Sequence, residues 1–173
     1  GEQVVPAEGR WLIPGLWDAH VHFEQWATSR QRLDLGATRS AAEVLAVVAG
    51  AQSVGEPTGL LVGFGYRLSY WPDGPDAGTL AALDAVTGSR PTVLISGDAH
   101  NGWLNSAAAG LLGIEPPPGP LLEHAWFAKM SRVLELERAN PNHARFVDEA
   151  IADALGRGIV GLVDLDFNRA WQG

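Results

Sequence analysis

The stretch Pro14-Gly15-Leu16-Trp17-Asp18-Ala19-His20-Val21-His22-Phe23 sets the interpretation of the whole chain. A Pro-Gly pair is typical of a turn, and the apolar run Leu16–Phe23 predicts a strand. Residues two apart share one side of a strand, so His20 and His22 are expected to project together. Two neutral imidazoles form half of the coordination shell of a divalent metal ion. Asp18, on the same side, could orient a ligand histidine from outside that shell. The alternative is a group of ordinary polar residues at a strand end.

Outward from this stretch, short apolar strands alternate with helices. The predicted strands are Arg10–Ile13, Leu16–Phe23, Gly59–Tyr66, Thr92–Ser96 and Gly158–Leu165. The predicted helices are Ser40–Val54, Thr79–Val86, Asn105–Leu112, Glu123–Glu137 and Asn142–Leu155. Ser40, Thr79 and Asn105 are suited to cap the helices that they begin, and Gly113 suits a left-handed helix end. Apolar strands separated by helices favour an α/β fold with a parallel sheet covered on both faces.

The composition excludes several functional classes. The 173-residue chain has 12 Lys+Arg against 20 Asp+Glu, which gives a net charge of −8. That sign argues against binding to nucleic acid or to an anionic membrane, because both attract a basic surface. The lack of cysteine excludes disulfides, thiolate zinc ligands and cysteine nucleophiles. We expect a small-molecule substrate and, since the sequence shows neither a signal peptide nor a spanning apolar segment, a cytoplasmic location.

Several further motifs follow the first stretch in order along the chain. They are Gly63-Phe64-Gly65-Tyr66, Leu83-Asp84, Ser89-Arg90-Pro91, Gly97-Asp98-Ala99-His100-Asn101-Gly102-Trp103-Leu104-Asn105-Ser106, Gly119-Pro120-Leu121-Leu122-Glu123-His124-Ala125 and Arg157-Gly158-Ile159-Val160-Gly161-Leu162-Val163-Asp164. Together with the first stretch, these motifs resemble the amidohydrolase superfamily, whose members are metal-dependent hydrolases built on a (β/α)8 barrel. Their order is similar to the branch that includes the N-substituted formamide deformylases.

The resemblance implies an α/β fold that is a partial (β/α)8 TIM barrel. It places a long insertion between the first and second barrel strands, at about residues 24–157. Residues 1–15 would be the end of a small β-domain that leads into the barrel, and residues 16–173 the N-terminal part of the catalytic barrel. A complete barrel takes about 250 residues, so both ends look cut and the chain looks like a fragment. The general base and further metal ligands are expected outside this chain.

The same resemblance implies a chemistry. His20 and His22 would hold a divalent metal, with zinc the expected element, as one or two ions. The implied reaction is hydrolysis of a C–N bond, of amide or formamide type, by a metal-activated water molecule. Because the catalytic residues of a barrel come from several strand ends, we expect the chain alone to be inactive. Lys129 is the only lysine and lies in a predicted helix, so we do not expect it to bridge two metals.

Other candidates lie in predicted loops and at a helix start. By resemblance, the loop with His100, Asn101 and Trp103 lines the substrate pocket, although a loop followed by a helix cap accounts for the same residues. Glu123 is a possible metal ligand or pocket acid, or simply a carboxylate favoured at the start of a helix.

The end of the last predicted strand and the tryptophans supply the remaining candidates. Asp164 and Asp166 end that strand and are either pocket residues or turn formers. Trp17, Trp26 and Trp71, like Trp103, lie near predicted loops. They either form flat apolar walls for a substrate or fill the core between insertion and barrel.

Two other functional classes fit the same residues. A non-catalytic α/β domain that binds a metal or a small molecule would keep His20 and His22 without further ligands. A purely structural domain would pair both histidines with carboxylates. An open half-barrel in a chain this short would leave sheet edges and apolar faces uncovered, so we expect homo-oligomers or self-association.

Overall fold

The computed structural model describes residues 4–52 and 59–165, apart from the side chain of residue 75. Its strands are β1 (Leu16–Val21), β2 (Leu33–Asp34), β3 (Leu61–Tyr66), β4 (Thr92–Ser96), β5 (Asn101–Leu104), β6 (Leu121–Leu122) and β7 (Ile159–Asp164). Its helices are α1 (Phe23–Ser29), α2 (Ala41–Gln52), α3 (Leu80–Thr87), α4 (Ser106–Leu111), α5 (Glu123–Arg138) and α6 (His143–Gly156), with short 3-10 turns at Leu68–Tyr70 and Pro75–Ala77. The mixed α/β class is confirmed. Residues 53–54 of a predicted helix and the candidate Asp166 lie outside the described residues.

One predicted strand does not form. Residues 10–15 have neither helix nor strand, and the side chains of Trp11 and Leu12 are 96% and 95% exposed. A strand needs a neighbour to complete its hydrogen bonds, and the sheets of the described residues place none beside this segment. The prediction of a strand at Arg10–Ile13 is therefore wrong, because an apolar run alone does not supply a partner.

The chain forms two compact units, one of Gly1–Ala27 with Arg145–Gly173 and the other of Thr28–Ala144. In the first unit, β1 and β7 form a parallel pair in which Val21 lies opposite Asp164. The pairing continues past the strand end, where the Leu165 N–H donates to the Val21 carbonyl at 2.8 Å. Two strands that are far apart in the sequence are thus direct neighbours.

The second unit contains a five-stranded sheet in the order β2-β3-β4-β5-β6. The pairs β2–β3 and β3–β4 are parallel, as the apolar strands predicted, whereas β4–β5 and β5–β6 are antiparallel. The sheet is therefore mixed, and the prediction of an all-parallel sheet is wrong for this unit.

A tight turn between β4 and β5 is the physical reason for the reversal. Ala99 adopts a left-handed φ of 61° and its N–H donates to the Ser96 carbonyl at 2.9 Å. The Asp98 carboxylate accepts the N–H of His100 at 3.0 Å, which closes the turn. Residues 101–104, predicted as a loop, thereby return as β5 alongside β4.

Two hydrophobic clusters cover the two faces of this sheet. Neighbouring residues of β4 belong to different clusters, because side chains alternate across a strand. Leu94 packs in the first, with Leu35, Val44, Val48, Tyr66, Trp71, Leu83 and Trp103. Val93 and Ile95 pack in the second, with Val62, Leu104, Ala108, Trp126 and Val133. The second unit therefore has its own core.

Three predicted helix starts are confirmed by their caps. The Ser40 hydroxyl accepts the N–H of Glu43, and the Thr79 hydroxyl accepts the N–H of Ala82, each at 3.1 Å. Asn105 caps α4 through its Oδ1, which accepts the N–H of Ala108 at 2.9 Å. Gly113 takes the expected left-handed conformation after α4, with a φ of 63°. Local capping chemistry thus placed these elements correctly.

Within residues 4–52 and 59–165, each helix is too short or too polar to cross a bilayer.

Candidate functional site

His20 and His22 lie together where β1 ends. His20 is in the strand and His22 follows its last residue, with the two ring centroids 5.9 Å apart and the ring planes inclined by 65°. Both side chains are exposed. The expected juxtaposition of the two imidazoles is therefore present, at the carboxyl end of a strand that has a parallel neighbour.

Two carboxylates fix the backbone on either side of this pair. Asp18 Oδ1 accepts the backbone N–H of His20 at 3.0 Å, so in this structure the carboxylate holds the main chain of His20 and not its ring. Asp164, at the end of β7, accepts the N–H of Phe23 at 3.2 Å. Together these bonds hold the segment that carries both histidines against the ends of β1 and β7.

A mostly apolar cavity of about 170 Å³ adjoins the same strands in the first unit. It is lined by Asp18, Val21, Phe23, Trp26, Ala154, Ile159 and Leu162. Trp26 is thus a pocket-lining residue, as one interpretation of the tryptophans expected, and Asp18 is the acidic member of the lining.

The donor set fits half of a metal site. Two neutral imidazoles are ligands that zinc accepts, and four ligands complete its usual shell. In the part of the chain that the structure describes, no group of three or more His, Asp or Glu side chains could hold a metal ion. His20 and His22 therefore suit a divalent cation whose remaining ligands are not among the described residues.

His100 and Glu123, in the second unit, form an exposed hydrogen-bonded pair. The Nδ1 atom of His100 lies 3.2 and 3.1 Å from the two carboxylate oxygens of Glu123. The ring also meets Phe127 edge to face, with centroids 5.2 Å apart. Since Nδ1 faces the carboxylate, Nε2 is the ring nitrogen left for another partner.

The main chain locks the same two residues together. The N–H of Glu123 donates to the carbonyl of His100 at 2.8 Å. Glu123 has a left-handed φ of 45°, and Ala99, next to His100, has one of 61°. Left-handed backbone is costly for residues other than glycine and often marks a site that the surrounding structure must hold in place. Glu123 thus partners His100 in this unit, and its role as a metal ligand or pocket acid stays a prediction.

A second, more polar cavity of about 180 Å³ lies where β3 and β4 end. It is lined by Arg67, Leu68, Ser69, Ser96, Gly97, Asp98 and Asn101. Asn101, a predicted pocket residue, is 8% exposed, and its Oδ1 accepts the hydroxyl of Tyr66 at 2.7 Å. Burial, the largest effect, and the negative charge of Asp98 together raise the pKa of Tyr66, so its hydroxyl stays protonated as the donor.

Asp98 is the anionic group of this cavity. Its carboxylate accepts the hydroxyl of Ser96 at 2.5 Å and the N–H of His100 at 3.0 Å. These two hydrogen bonds, that of Ser96 first, lower the pKa of Asp98. Because a lowered folded-state pKa favours the ionised form, Asp98 stabilises the fold above its unfolded-state pKa, and this contribution is lost as the pH falls through the folded-state value.

Replacing Ser96 with alanine is expected to raise the pKa of Asp98, because it removes the hydrogen bond that lowers this pKa most. A carbon-detected NMR titration of the Asp98 carboxyl group measures the midpoint directly. Ser69→Ala is the matched control, since Ser69 lines the same cavity and makes no hydrogen bond to Asp98 in the described structure. An unchanged midpoint in Ser96→Ala would contradict the assignment of cause.

Two candidate tryptophans are core residues. Trp103 is fully buried, donates its indole N–H to the Thr79 carbonyl at 3.1 Å, and packs edge to face on Trp71. Trp71 in turn stacks on Tyr66 with centroids 5.6 Å apart. Trp103 is not among the residues that line the polar cavity but belongs to the core of the Thr28–Ala144 unit, and its role in a substrate pocket stays a prediction. Trp17 is 70% exposed on β1.

Sequence reasoning missed Arg67 as a lining residue of the polar cavity and did not single out Asp98. Both follow the last residues of parallel neighbouring strands, Tyr66 and Ser96. Ligands of parallel sheets collect at the carboxyl ends of strands, so this position was the available signal.

Comparisons with known proteins agree with this architecture. The model of the amidohydrolase family matches residues 3–172. The chain is 25% identical over 182 aligned residues to the protein LONG AFTER FAR-RED 3 of Arabidopsis thaliana. The alignment covers 95% of this chain and 30% of the relative.

Two solved structures share the fold. An uncharacterized metal-dependent hydrolase from Pyrococcus horikoshii OT3 superimposes with a TM-score of 0.73 at 18% identity, over 90% of this chain and 32% of that one. An uncharacterized metal-dependent hydrolase from Pyrococcus furiosus gives a TM-score of 0.72 at 20% identity, over 92% of this chain and 33% of that one. The chain thus spans about a third of the length of these relatives. With the family model matching nearly every residue, the chain belongs to the amidohydrolase family.

Proposed function

We propose that the chain is the N-terminal part of a metal-dependent hydrolase that cleaves a C–N bond of amide or formamide type. The observation that carries the proposal is the pair of imidazoles 5.9 Å apart at the end of β1, in a chain of the amidohydrolase family. The formamide-type substrate rests on the order of the sequence motifs alone.

The parallel pair of β1 and β7 supports a barrel architecture. In a (β/α)8 barrel, neighbouring strands are parallel and the active site lies at their carboxyl ends. Val21 lies opposite Asp164 at that end of the pair, and Val21 stands between His20 and His22 in the sequence. We therefore propose that β1 and β7 are the first and second strands of a TIM barrel, with the intervening segment as an insertion.

The residues of this chain would bind and orient the metal. His20 and His22 would ligate it through ring nitrogens, and zinc is the expected ion because it is commonly held by imidazoles. Asp18 and Asp164 would keep the ligand segment in position through the backbone N–H groups that they accept. A bound divalent cation would lower the pKa of a coordinated water to about 7 and polarise a scissile carbonyl.

Several groups needed for turnover are expected outside this chain. A general base has to accept the proton of the attacking water, and barrel enzymes draw such groups from several strand ends. We therefore propose that the chain by itself does not hydrolyse amides. A cytoplasmic location stays a prediction. So does self-association, which the exposed side chains of Trp17 and Val160 on β1 and β7 support.

A zinc titration of the chain followed by NMR of its imidazole groups tests the proposal. We expect the resonances of His20 and His22 to move together at low zinc, in fast exchange, because two ligands alone bind weakly. The resonances of His124, an exposed histidine at the start of α5, should stay in place over that range. Equal shifts of all three histidines, or shifts of neither His20 nor His22, would contradict a metal site. Tight, slowly exchanging binding would favour a complete non-catalytic metal domain.

A further inference from the structure

We propose that the polar cavity at the ends of β3 and β4 binds a small organic carboxylate, held by Arg67 and Asn101. This proposal rests on the residues of the Thr28–Ala144 unit alone and does not depend on the proposed metal chemistry.

Arg67 supplies an uncommitted cation. Its guanidinium lies over the ring of Tyr70, 5.6 Å from the ring centre, and in the described residues it has neither a carboxylate partner nor a side-chain hydrogen bond. Arg39 lies over the same ring at 5.1 Å but donates to the carbonyls of Gly36 and Thr38. Arg32, also in this unit, is paired with Glu137 at 2.8 Å. Arg67 thus retains the fork of N–H donors that matches a carboxylate.

Asn101 supplies a buried donor with a fixed orientation. Because the protonated Tyr66 hydroxyl donates to Asn101 Oδ1, the amide cannot flip without losing this bond. The Nδ2 group is then left with two N–H donors, and no hydrogen bond from Nδ2 to another described residue accompanies the one to Tyr66. The side chain is more than nine-tenths buried, and the open space next to it is the cavity that it lines. An acceptor on a ligand in that cavity would be within reach of these two donors.

The charge balance favours a carboxylate over a phosphate. Asp98 faces the same cavity as an ionised carboxylate, held so by its bonds from Ser96 and His100. The lining holds one guanidinium and one carboxylate, so a singly charged ligand meets about half the repulsion from Asp98 that a doubly charged phosphate meets. The volume of about 180 Å³ suits a molecule of a few heavy atoms. Asp98 could in addition accept a hydroxyl or N–H group of that ligand.

Titration of the chain with lactate, followed by NMR of its side-chain N–H groups, tests this proposal. We expect saturable shifts of the Asn101 amide and the Arg67 Nε–H in the millimolar range. Lactamide, the uncharged analogue of the same shape, is expected to bind at least about 10-fold more weakly, because hydrogen bonds to charged groups are the stronger ones. Tighter binding of inorganic phosphate than of lactate would overturn the choice of ligand.

Matched arginine variants complete the test. Arg67→Gln is expected to weaken lactate binding at least about 10-fold, and Arg67→Lys, which keeps the charge and loses the fork, by less. Arg132→Gln removes an exposed arginine paired with Glu135 on α5 and should leave binding unchanged. Equal loss in Arg67→Gln and Arg132→Gln, or no loss in Arg67→Gln, would overturn the proposal. Since Arg67 is exposed, its substitution should preserve the fold, which the remaining resonances verify.

Discussion

Replacing His20 and His22 together with glutamine is expected to abolish detectable zinc binding at the end of β1, a loss of at least about 100-fold in affinity. Removing a mere hydrogen-bond partner of a metal ligand already costs about 10- to 100-fold, so removing both ligands should cost more. The two rings lie 5.9 Å apart, and each single variant leaves one imidazole with no adjacent nitrogen donor of its kind. Competition with a zinc-sensitive dye gives the affinity, and equilibrium dialysis gives the stoichiometry.

His124→Gln is the matched control for this experiment. It removes the same chemical group from an exposed position at the start of α5, where no other histidine is its immediate neighbour in sequence. We expect its zinc affinity to equal that of the parent chain. The single variants His20→Gln and His22→Gln should each lose most of the affinity. Retention of parental affinity by the double variant would show that these imidazoles are not metal ligands.

Replacing Asn105 with alanine is expected to lower the free energy of unfolding by about 4 kcal/mol. Asn105 is fully buried, and its Oδ1 accepts the N–H groups of both Thr92 and Ala108 at 2.9 Å. Its Nδ2 donates to the Thr87 hydroxyl and the Arg90 carbonyl at 2.8 Å. The side chain therefore joins β4, α3 and α4 at one point.

The two backbone N–H groups dominate this expected loss. The Thr87 hydroxyl still donates to Leu83, and the Arg90 carbonyl still accepts the hydroxyl of Thr92. The N–H groups of Thr92 and Ala108 have no such second partner in the described structure, and each unsatisfied buried group costs about 1–3 kcal/mol. The loss at Ala108 is the loss of the α4 helix cap and is part of this total, since removing such a cap costs about 0.5–2 kcal/mol.

Urea unfolding followed by tryptophan fluorescence measures this change, because Trp103 and Trp126 are buried in the same unit. Ser106→Ala is the matched control: it removes one exposed hydroxyl bonded to Asp84 at 2.6 Å from the adjacent residue. We expect that change to cost less than about 1 kcal/mol. If the two variants unfold at the same urea concentration, the buried network does not stabilise the unit as described.

Local signals predicted most of the secondary structure. Ser40, Thr79 and Asn105 mark helix starts through bonds to residues three positions away, and such bonds can be anticipated from the sequence. The reversal at Ala99 could not, because a positive φ at alanine is held by contacts that only the folded chain supplies. The prediction of a strand at Arg10–Ile13 was wrong because the apolar pattern does not reveal whether a partner strand exists.

The candidate sites also differ in whether local sequence alone predicts them. His20 and His22 are two residues apart on one strand, so the geometry of a strand alone brings their rings together. The pairing of His100 with Glu123 joins residues 23 positions apart. The cavity that Arg67 and Asn101 both line depends on β3, β4 and β5 lying side by side in that order. His100, Glu123 and Asn101 could each be singled out from the sequence, but their partners could be identified only from the assembled sheet.

Because β1 and β7 pair directly with each other, their pairing does not require the long segment between them. Two parallel strands require a crossover of only about a dozen residues, and the Thr28–Ala144 unit far exceeds that length while keeping its own sheet and core. A short designed helix in its place should leave Val21 opposite Asp164. We expect sequence changes within that unit to leave β1, which carries His20, paired with β7.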